Sequence, residues 1–354
     1  MPDEYATVTV TVKVTVGVDT HADTHTAVAL DELGRRLDTV EVTADETGYG
    51  DLLDWARTLG VVRAVGIEGT GSYGAGLARF LTAAGLNVIE VGRANRQHRR
   101  RHGKSDPADA EGAARAVLAG EATAVPKSHD GIVESIRALH VVKRSAIKAR
   151  TQAANQMTAL ALTAPEATRA ELGGLTPLKR ARRAAGWRPG AGHDPVTVTR
   201  RAIRALARRW LDLTAEINTH NGELDELTAV AAPGLVAEQG VSRDVAAKLL
   251  IAAGDNPERI RTEAGFAALC GASPVKASSG KTNRHRLNQS GDRQANNALW
   301  TIARVRLSHD PETRAYAQRR EDEGLSHREI VRCPKRYLAR RLYPILIADL
   351  AKLT

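Results

Sequence analysis

Residues Thr7–Val18 (TVTVTVKVTVGV) constrain the fold more than any other stretch of this chain. Ten of these twelve residues are β-branched and Val recurs at every second position, which suits a pleated strand and disfavours a helix. Thr26–Leu30 (TAVAL) and Leu37–Val42 carry two more strand signals, separated from the first and from each other by polar turns. The period then changes. Leu52, Leu53, Trp55 and Leu59 fall at helical spacing within Thr47–Leu59, Arg63–Ile67 is a short buried strand, Ala75–Ala84 a helix and Asn87–Val91 a strand. A basic loop, Arg93–Lys104, leads into a helix from Asp106 to about Leu118. Strands alternating with helices require a sheet covered by helices.

Three leading strands followed by helix, strand, helix, strand, helix is the order of an RNase H-like domain. The middle third differs. Glu134 to about Leu162 is helical, without Pro or Gly, and a second long helix runs from Thr197 to about Val230 with Ile203, Leu206, Trp210, Leu213 and Ile217 on one face. Residues 165–196 between them are rich in Pro, Gly and Arg and read as an insertion or mobile basic loop. Helices are also expected at Arg243–Ala253, Thr262–Cys270, Gln294–Leu307 and from Ser326 to the end. The turn Gly240-Val241-Ser242 is either a helix cap or a helix N-terminus offered to a phosphate. The expected fold class is α/β plus all-α: an N-terminal RNase H-like domain over 1–125, a helical coiled-coil region over 126–230 and a mainly helical domain over 231–354.

A length of 354 residues accommodates two or three domains. The net charge of +10 and a pI near 9.8 favour a polyanionic partner, because each phosphate neutralised releases a counterion. Aromatic residues make up only 3%, too few for a platform that stacks single strands, so duplex or structured nucleic acid fits better. Two distant cysteines, Cys270 and Cys333, exclude a disulfide scaffold and a zinc finger. No apolar stretch is long enough to span a bilayer and the N-terminus lacks a signal pattern, so a cytoplasmic protein with no membrane partner is expected.

Four carboxylates stand where such a domain converges. Asp19 ends the first strand, Glu68 ends the fourth, and Asp106 and Asp109 lie three residues apart at a helix start. That spacing puts both on one helix face. Gathered together, the four cannot all stay ionised without cations, which implies hard, oxygen-seeking metals, a pair of Mg²⁺ ions or Mn²⁺ in their place. Taken singly, each has an ordinary reading as a turn residue, a helix cap or a partner of the helix dipole. His21 and His25 flank a tight turn and read as solvated. Among the cations, Arg99, Arg100, Arg101 and Lys104 are candidates for nucleic-acid contact. In the last third, Ser278-Ser279-Gly280 forms a tip followed by Lys281, Arg284, His285, Arg286 and Arg293. On the residues alone a phosphate-binding basic loop ranks above a nucleophilic serine there, since a serine needs a base, a metal or cationic surroundings to react.

The blocks GVDT, GIEGTGSY, KSDPADA and GASPVKASSGKTNRHRL…GDRQ…ALW, in this order and spacing, resemble the insertion-sequence-110 family of transposases, also described as DEDD transposases or bridge-RNA-guided recombinases. The resemblance runs from about Val16 to the C-terminus. It implies a Mg²⁺ site of Asp19, Glu68, Asp106 and Asp109, a coiled-coil region for assembly, and a catalytic serine before the glycine of the SG pair, which maps onto Ser279. It also implies that the serine attacks a DNA phosphate, with the RuvC-like site of a partner subunit completing the active site. Donor and target double-stranded DNA, a structured guide RNA and a second copy of the chain (a dimer, or a dimer of dimers on DNA) are the implied partners. Residues 165–196 have no clear counterpart in the family. The competing readings are a Holliday-junction or other structure-specific nuclease using the same carboxylates without serine chemistry, a sugar kinase or actin-like ATPase, and a non-catalytic nucleic-acid binder. The kinase reading lacks the duplicated domain and Gly-rich adenosine site it needs.

Overall fold

The computed structural model describes residues 12–92, 105–278, 285–286 and 288–353. They form two compact units, one of 1–130 with 253–261 and one of 131–252 with 262–354. The stretches 126–230 and 231–354, set apart in the sequence reading, thus fall largely in one unit.

The first unit is built on a five-stranded sheet: β1 (Lys13–Thr20), β2 (Thr24–Leu30), β3 (Arg36–Thr43), β4 (Val61–Glu68) and β5 (Val88–Val91), in the order β3-β2-β1-β4-β5. β1 to β3 form an antiparallel meander, while β4 runs parallel to β1 and β5 parallel to β4. Residues 7–11 of the expected first strand lie outside the described residues. Alternation along β1 decides the two faces. Val14, Val16 and Val18 join a core with Leu52 and Leu53 of α1 (Glu46–Leu59) and Leu77 and Leu81 of α2 (Ala75–Ala83). The side chains of Thr15 and Asp19, and Gly17 between them, belong to the other face.

That other face is covered by α3 (Asp106–Leu118), with Ala110 and Ala114 packed on Val28 and Leu30. Gly17 and Gly66 pair in register on β1 and β4, directly beneath it. A Cβ at Gly17 would lie 2.0 Å from the Ala110 carbonyl oxygen and 2.3 Å from the Ala114 nitrogen, and one at Gly66 would lie 2.6 Å from Val117 Cγ2. The helix backbone therefore rests on the sheet backbone, and only paired glycines under an alanine-rich helix permit it. The segment 253–261 joins this unit through Asn256 Nδ2, which donates to the Pro126 carbonyl at 3.0 Å, and Arg259, which donates to the Val125 carbonyl at 3.0 Å and meets Glu90 at 3.3 Å.

The second unit is helical: α4 (Ile132–Thr163), α5 (Glu166–Leu172), α6 (Pro177–Ala185), α7 (Pro195–Ala231), α8 (Pro233–Ala237), α9 (Arg243–Ala253, ending at the boundary), α10 (Glu263–Leu269), α11 (Arg293–His309), α12 (Pro311–Asp322) and α13 (His327–Leu350). A two-residue ladder, β6 (Val275–Lys276) with β7 (His285–Arg286), interrupts it. The C-terminal half of α4 packs on the N-terminal half of α7 through Ala153, Met157, Ile203, Ala207 and Trp210, so the two long helices run antiparallel. The reading of 165–196 as a mobile loop is corrected. Much of it forms α5 and α6, whose Leu172, Ala181 and Ala184 enter that same core with Trp187. Trp187 Nε1 donates to Glu171 at 2.8 Å and the Arg200 guanidinium stacks 4.2 Å from its ring. The Pro, Gly and Arg content suggested a loop, but Pro177 stands in the first turn of α6, behind the Thr176 cap, where proline starts a helix. The Gly240-Val241-Ser242 turn is an ordinary cap, with Ser242 Oγ accepting from Val245 N at 3.3 Å.

Lys143 of α4 is buried and donates to Asp244 of α9 at 2.8 Å, and Lys248 reaches the same carboxylate at 2.9 Å. Burial pushes the Asp244 carboxyl up, but hydrogen bonds and charge from the two lysines outweigh it and hold the group at about 2.

Two outcomes follow from this packing. Gly17→Ala drives a methyl group into the α3 backbone and should lower stability by about 3 kcal/mol, whereas Gly112→Ala, with nothing within 4 Å, should leave it unchanged or raised; urea unfolding of the two variants tests the seat. For Asp244 the folded value lies below the unfolded one, so its contribution is complete above about pH 4 and lost as pH falls towards 2. Its side chain is 39% exposed, and solvent screening reduces the contribution to about 1 kcal/mol. The stability gap between wild type and Asp244→Asn should therefore close between about pH 4 and pH 2.

Candidate metal centre

Three features of the first unit bring acidic groups to one sheet edge. Asp19 stands on the α3 face of β1, one residue beyond Val18, which pairs with Ile67 of β4. Glu68 follows Ile67 in the same way, so two carboxylate residues end adjacent parallel strands on one face. The seat of α3 on Gly17 then presents the first turn of that helix, with Asp106 and Asp109, at the same end of the strands.

His21 links the cluster. The chain turns immediately after β1, with His21 N donating to the Thr24 carbonyl at 3.1 Å. The imidazole Nε2 lies 3.4 Å from Asp19 Oδ2 and 3.3 Å from Asp106 Oδ1. One donor atom from each of Asp19, His21 and Asp106 falls within 4.8 Å of the others. Asp109 is buried and Glu68 half-buried, and the two open onto a cavity of about 660 Å³ that Glu90 also lines. Thr20 Oγ1 donates to the Glu68 carbonyl at 2.8 Å and ties the ends of β1 and β4 together.

The electrostatics carry the mark of an acidic cluster. Burial raises the Asp19 carboxyl above its ordinary value, His21 draws it back, and the charges of Asp109 and Asp106 raise it again. Asp19 therefore senses both aspartates of the α3 first turn. The donor set, carboxylate oxygens with one imidazole nitrogen, fits a divalent ion of the Mg²⁺–Mn²⁺ class, with the nitrogen better suited to Mn²⁺.

One histidine reading is corrected, that of His25 as solvated, while His21 is exposed as read. His21 is part of the cluster, because the turn folds it back over Asp19; its place two residues after a strand-end aspartate was the available signal. His25 is buried, stacked on Tyr49 at 5.7 Å, with Nδ1 3.0 Å from the Thr24 carbonyl oxygen. Burial lowers its affinity for a proton. Of the remaining candidates, Ser278, His285 and Arg286 are exposed beside or within the β6–β7 ladder, and Arg293 starts α11 behind its Asp292 cap. Arg99, Arg100, Arg101, Lys104, Ser279, Lys281 and Arg284 lie outside the described residues.

An acidic, half-open centre at the carboxyl ends of parallel strands is a place for metal-assisted phosphate chemistry. Residues 16–164 match the DEDD transposase family named for IS110, and residues 235–318 match the transposase family IS116/IS110/IS902. The chain belongs to the IS110 family of transposases, enzymes that cut and join DNA. The first match contains all four carboxylates and the second contains the SG pair. No curated protein matches the chain. Among the described residues, no helix is long and apolar enough to cross a membrane.

The centre makes a binding prediction that needs no DNA. Titrated into chelator-treated protein, Mn²⁺ should raise the melting temperature of the wild type and leave Asp19→Asn unchanged. An equal rise in both proteins would place the ion elsewhere.

Proposed function

We propose that this transposase cuts and rejoins donor and target DNA with an RNase H-like (RuvC-like) carboxylate site and a serine nucleophile, guided by a structured RNA. The observation that carries the reading is the convergence of Asp19, Asp106 and Asp109, coupled electrostatically, beside Glu68 on one sheet edge. The strand order, an antiparallel meander extended by two parallel strands under helices on both faces, supports the RNase H-like assignment.

Asp19, Glu68, Asp106 and Asp109 would hold two Mg²⁺ ions, or Mn²⁺ in their place. Bound there, the ions supply Lewis-acid stabilisation of charge on the phosphate and on the attacking and leaving oxygens. The chain's own residues do the rest. Asp19 anchors the inner wall, and the seat of α3 keeps Asp106 and Asp109 at a fixed height above it. His21, half-exposed between Asp19 and Asp106, offsets their repulsion. Ser279 Oγ attacks the phosphorus, loses its proton and forms a Ser–O–P bond as the strand oxygen leaves with a proton; a DNA hydroxyl reverses the step during rejoining. The net charge of +10 with few aromatics suits a protein that grips phosphates and leaves sequence reading to base pairing by an RNA. The antiparallel α4–α7 pair is the coiled-coil element on which two copies would assemble.

A second reading is a RuvC-like junction nuclease without serine chemistry, for which the gathered carboxylates would suffice. The two separate in one assay. Ser279→Ala should abolish strand transfer and the covalent protein–DNA adduct, whereas a pure metal nuclease would keep cutting. Asp19→Ala and Asp106→Ala should abolish cleavage under either reading, by at least about 100-fold, and retained cleavage would sink both.

A further inference from the structure

A cavity of about 640 Å³ in the second unit lies between the β6–β7 ladder, α12 and α13, and none of the carboxylates assigned above lines it. Its wall is strongly cationic, and the ion pairs show which charges are already answered. Arg320 is paired with Glu323 and Arg336 with Glu263. Glu329, an acid in the wall, closes the capping box of α13 with Ser326. Arg286, Arg332 and Lys335 remain, and among the described residues none of them meets a carboxylate within 4 Å.

Lys335 is the informative one. It is 5% exposed, and its Nζ donates to Asn296 Oδ1 at 2.8 Å, a neutral acceptor. An ammonium has three donors and a full charge, and burying it without an anion costs several kcal/mol. Burial accordingly lowers its proton affinity, Cys270 raises it and Arg332 lowers it again. A fold that keeps such a cation on a cavity wall, with two further unanswered guanidinium groups beside it, is arranged for an anion from outside. The lining also carries Tyr316 and Tyr337, edge to face at 6.2 Å, with Tyr337 61% exposed. Aromatic faces beside cations accept a sugar or base next to its phosphate. In sequence, β6 and β7 flank the segment that contains Ser279.

We infer that this cavity is a phosphate-binding site for a DNA strand, in which Lys335, Arg332 and Arg286 grip the backbone and Tyr337 packs on the adjoining nucleotide. The choice of DNA rests on the transposase function given above; the anion site itself does not.

The test is binding by the full-length protein, read as fluorescence anisotropy of a labelled oligothymidylate of about eight nucleotides across a salt series. Arg332→Gln and Lys335→Met should each weaken binding by about ten-fold and reduce the log–log salt slope by about 0.7 for each single-strand phosphate no longer gripped. Arg332 is partly exposed, so Arg332→Gln decides the matter if Lys335→Met fails to fold by circular dichroism. Ser279→Ala should bind as the wild type does, so loss of strand transfer in that variant bears on the nucleophile and leaves the site intact. Wild-type affinity and slope in Arg332→Gln would overturn the inference. Inorganic phosphate displacing the oligomer at equal phosphate concentration would show a free-anion site, and an RNA octamer binding ten-fold tighter than DNA would show an RNA site; either overturns the assignment to a DNA strand.

Discussion

The approach of α3 to the sheet at Gly17 and Gly66 governs everything at the acidic end of the first unit. Helices usually stand off a sheet by the length of their side chains. Here two glycines adjacent in register remove the side chains from below, and Ala110, Ala113 and Ala114 remove them from above. The helix drops onto the strands, and its first turn, with Asp106 and Asp109, comes level with the end of β1. A methyl group at either glycine would lift the helix and with it two of the four carboxylates. Under the proposed function the acidic residues would supply the chemistry, and the glycines decide whether they are brought together.

Once assembled, the cluster is electrostatically costly. Asp19 is withdrawn from water and feels Asp106 and Asp109, which pushes its carboxyl towards the protonated form. His21 answers part of that charge, and a divalent ion would answer more. The second unit shows both outcomes for a buried charge of the opposite sign. Lys143 is buried but answered by Asp244, which is held at about 2 in return. Lys335 is buried and meets a neutral amide. The first arrangement is structural and the second leaves a charge for a ligand to satisfy. The distinction separates a cation that holds the fold from one whose charge the described residues leave for a ligand.

Most of the α/β unit was legible in the residues because its signals are local. Val14, Val16 and Val18 alternate with Thr15, Gly17 and Asp19, and that period names both the strand and the face on which Asp19 falls. The SDPADA block places two aspartates in a first helical turn by spacing alone. The errors share a different cause. Pro, Gly and Arg in 165–196 resemble a loop to any local reading, yet Leu172, Ala181, Ala184 and Trp187 find a core on α4 and α7 that lies far away in sequence. His25 looks like a turn residue beside Thr24, but packing against Tyr49 buries it.

The residues by themselves thus determined where the strands and the long helices run, which faces are apolar, that a polyanionic partner is favoured, and which family the motifs resemble. These depend on period, charge and order along the chain, all of which are present before folding. Tertiary structure alone decided that His21 joins Asp19 and Asp106, that Asn256 and Arg259 return to the first unit, and that Lys335 faces a cavity without a counter-ion. Each of these is a meeting of groups separated in sequence or turned by a backbone reversal, and its energy exists only when burial has removed the water that would otherwise keep the groups apart.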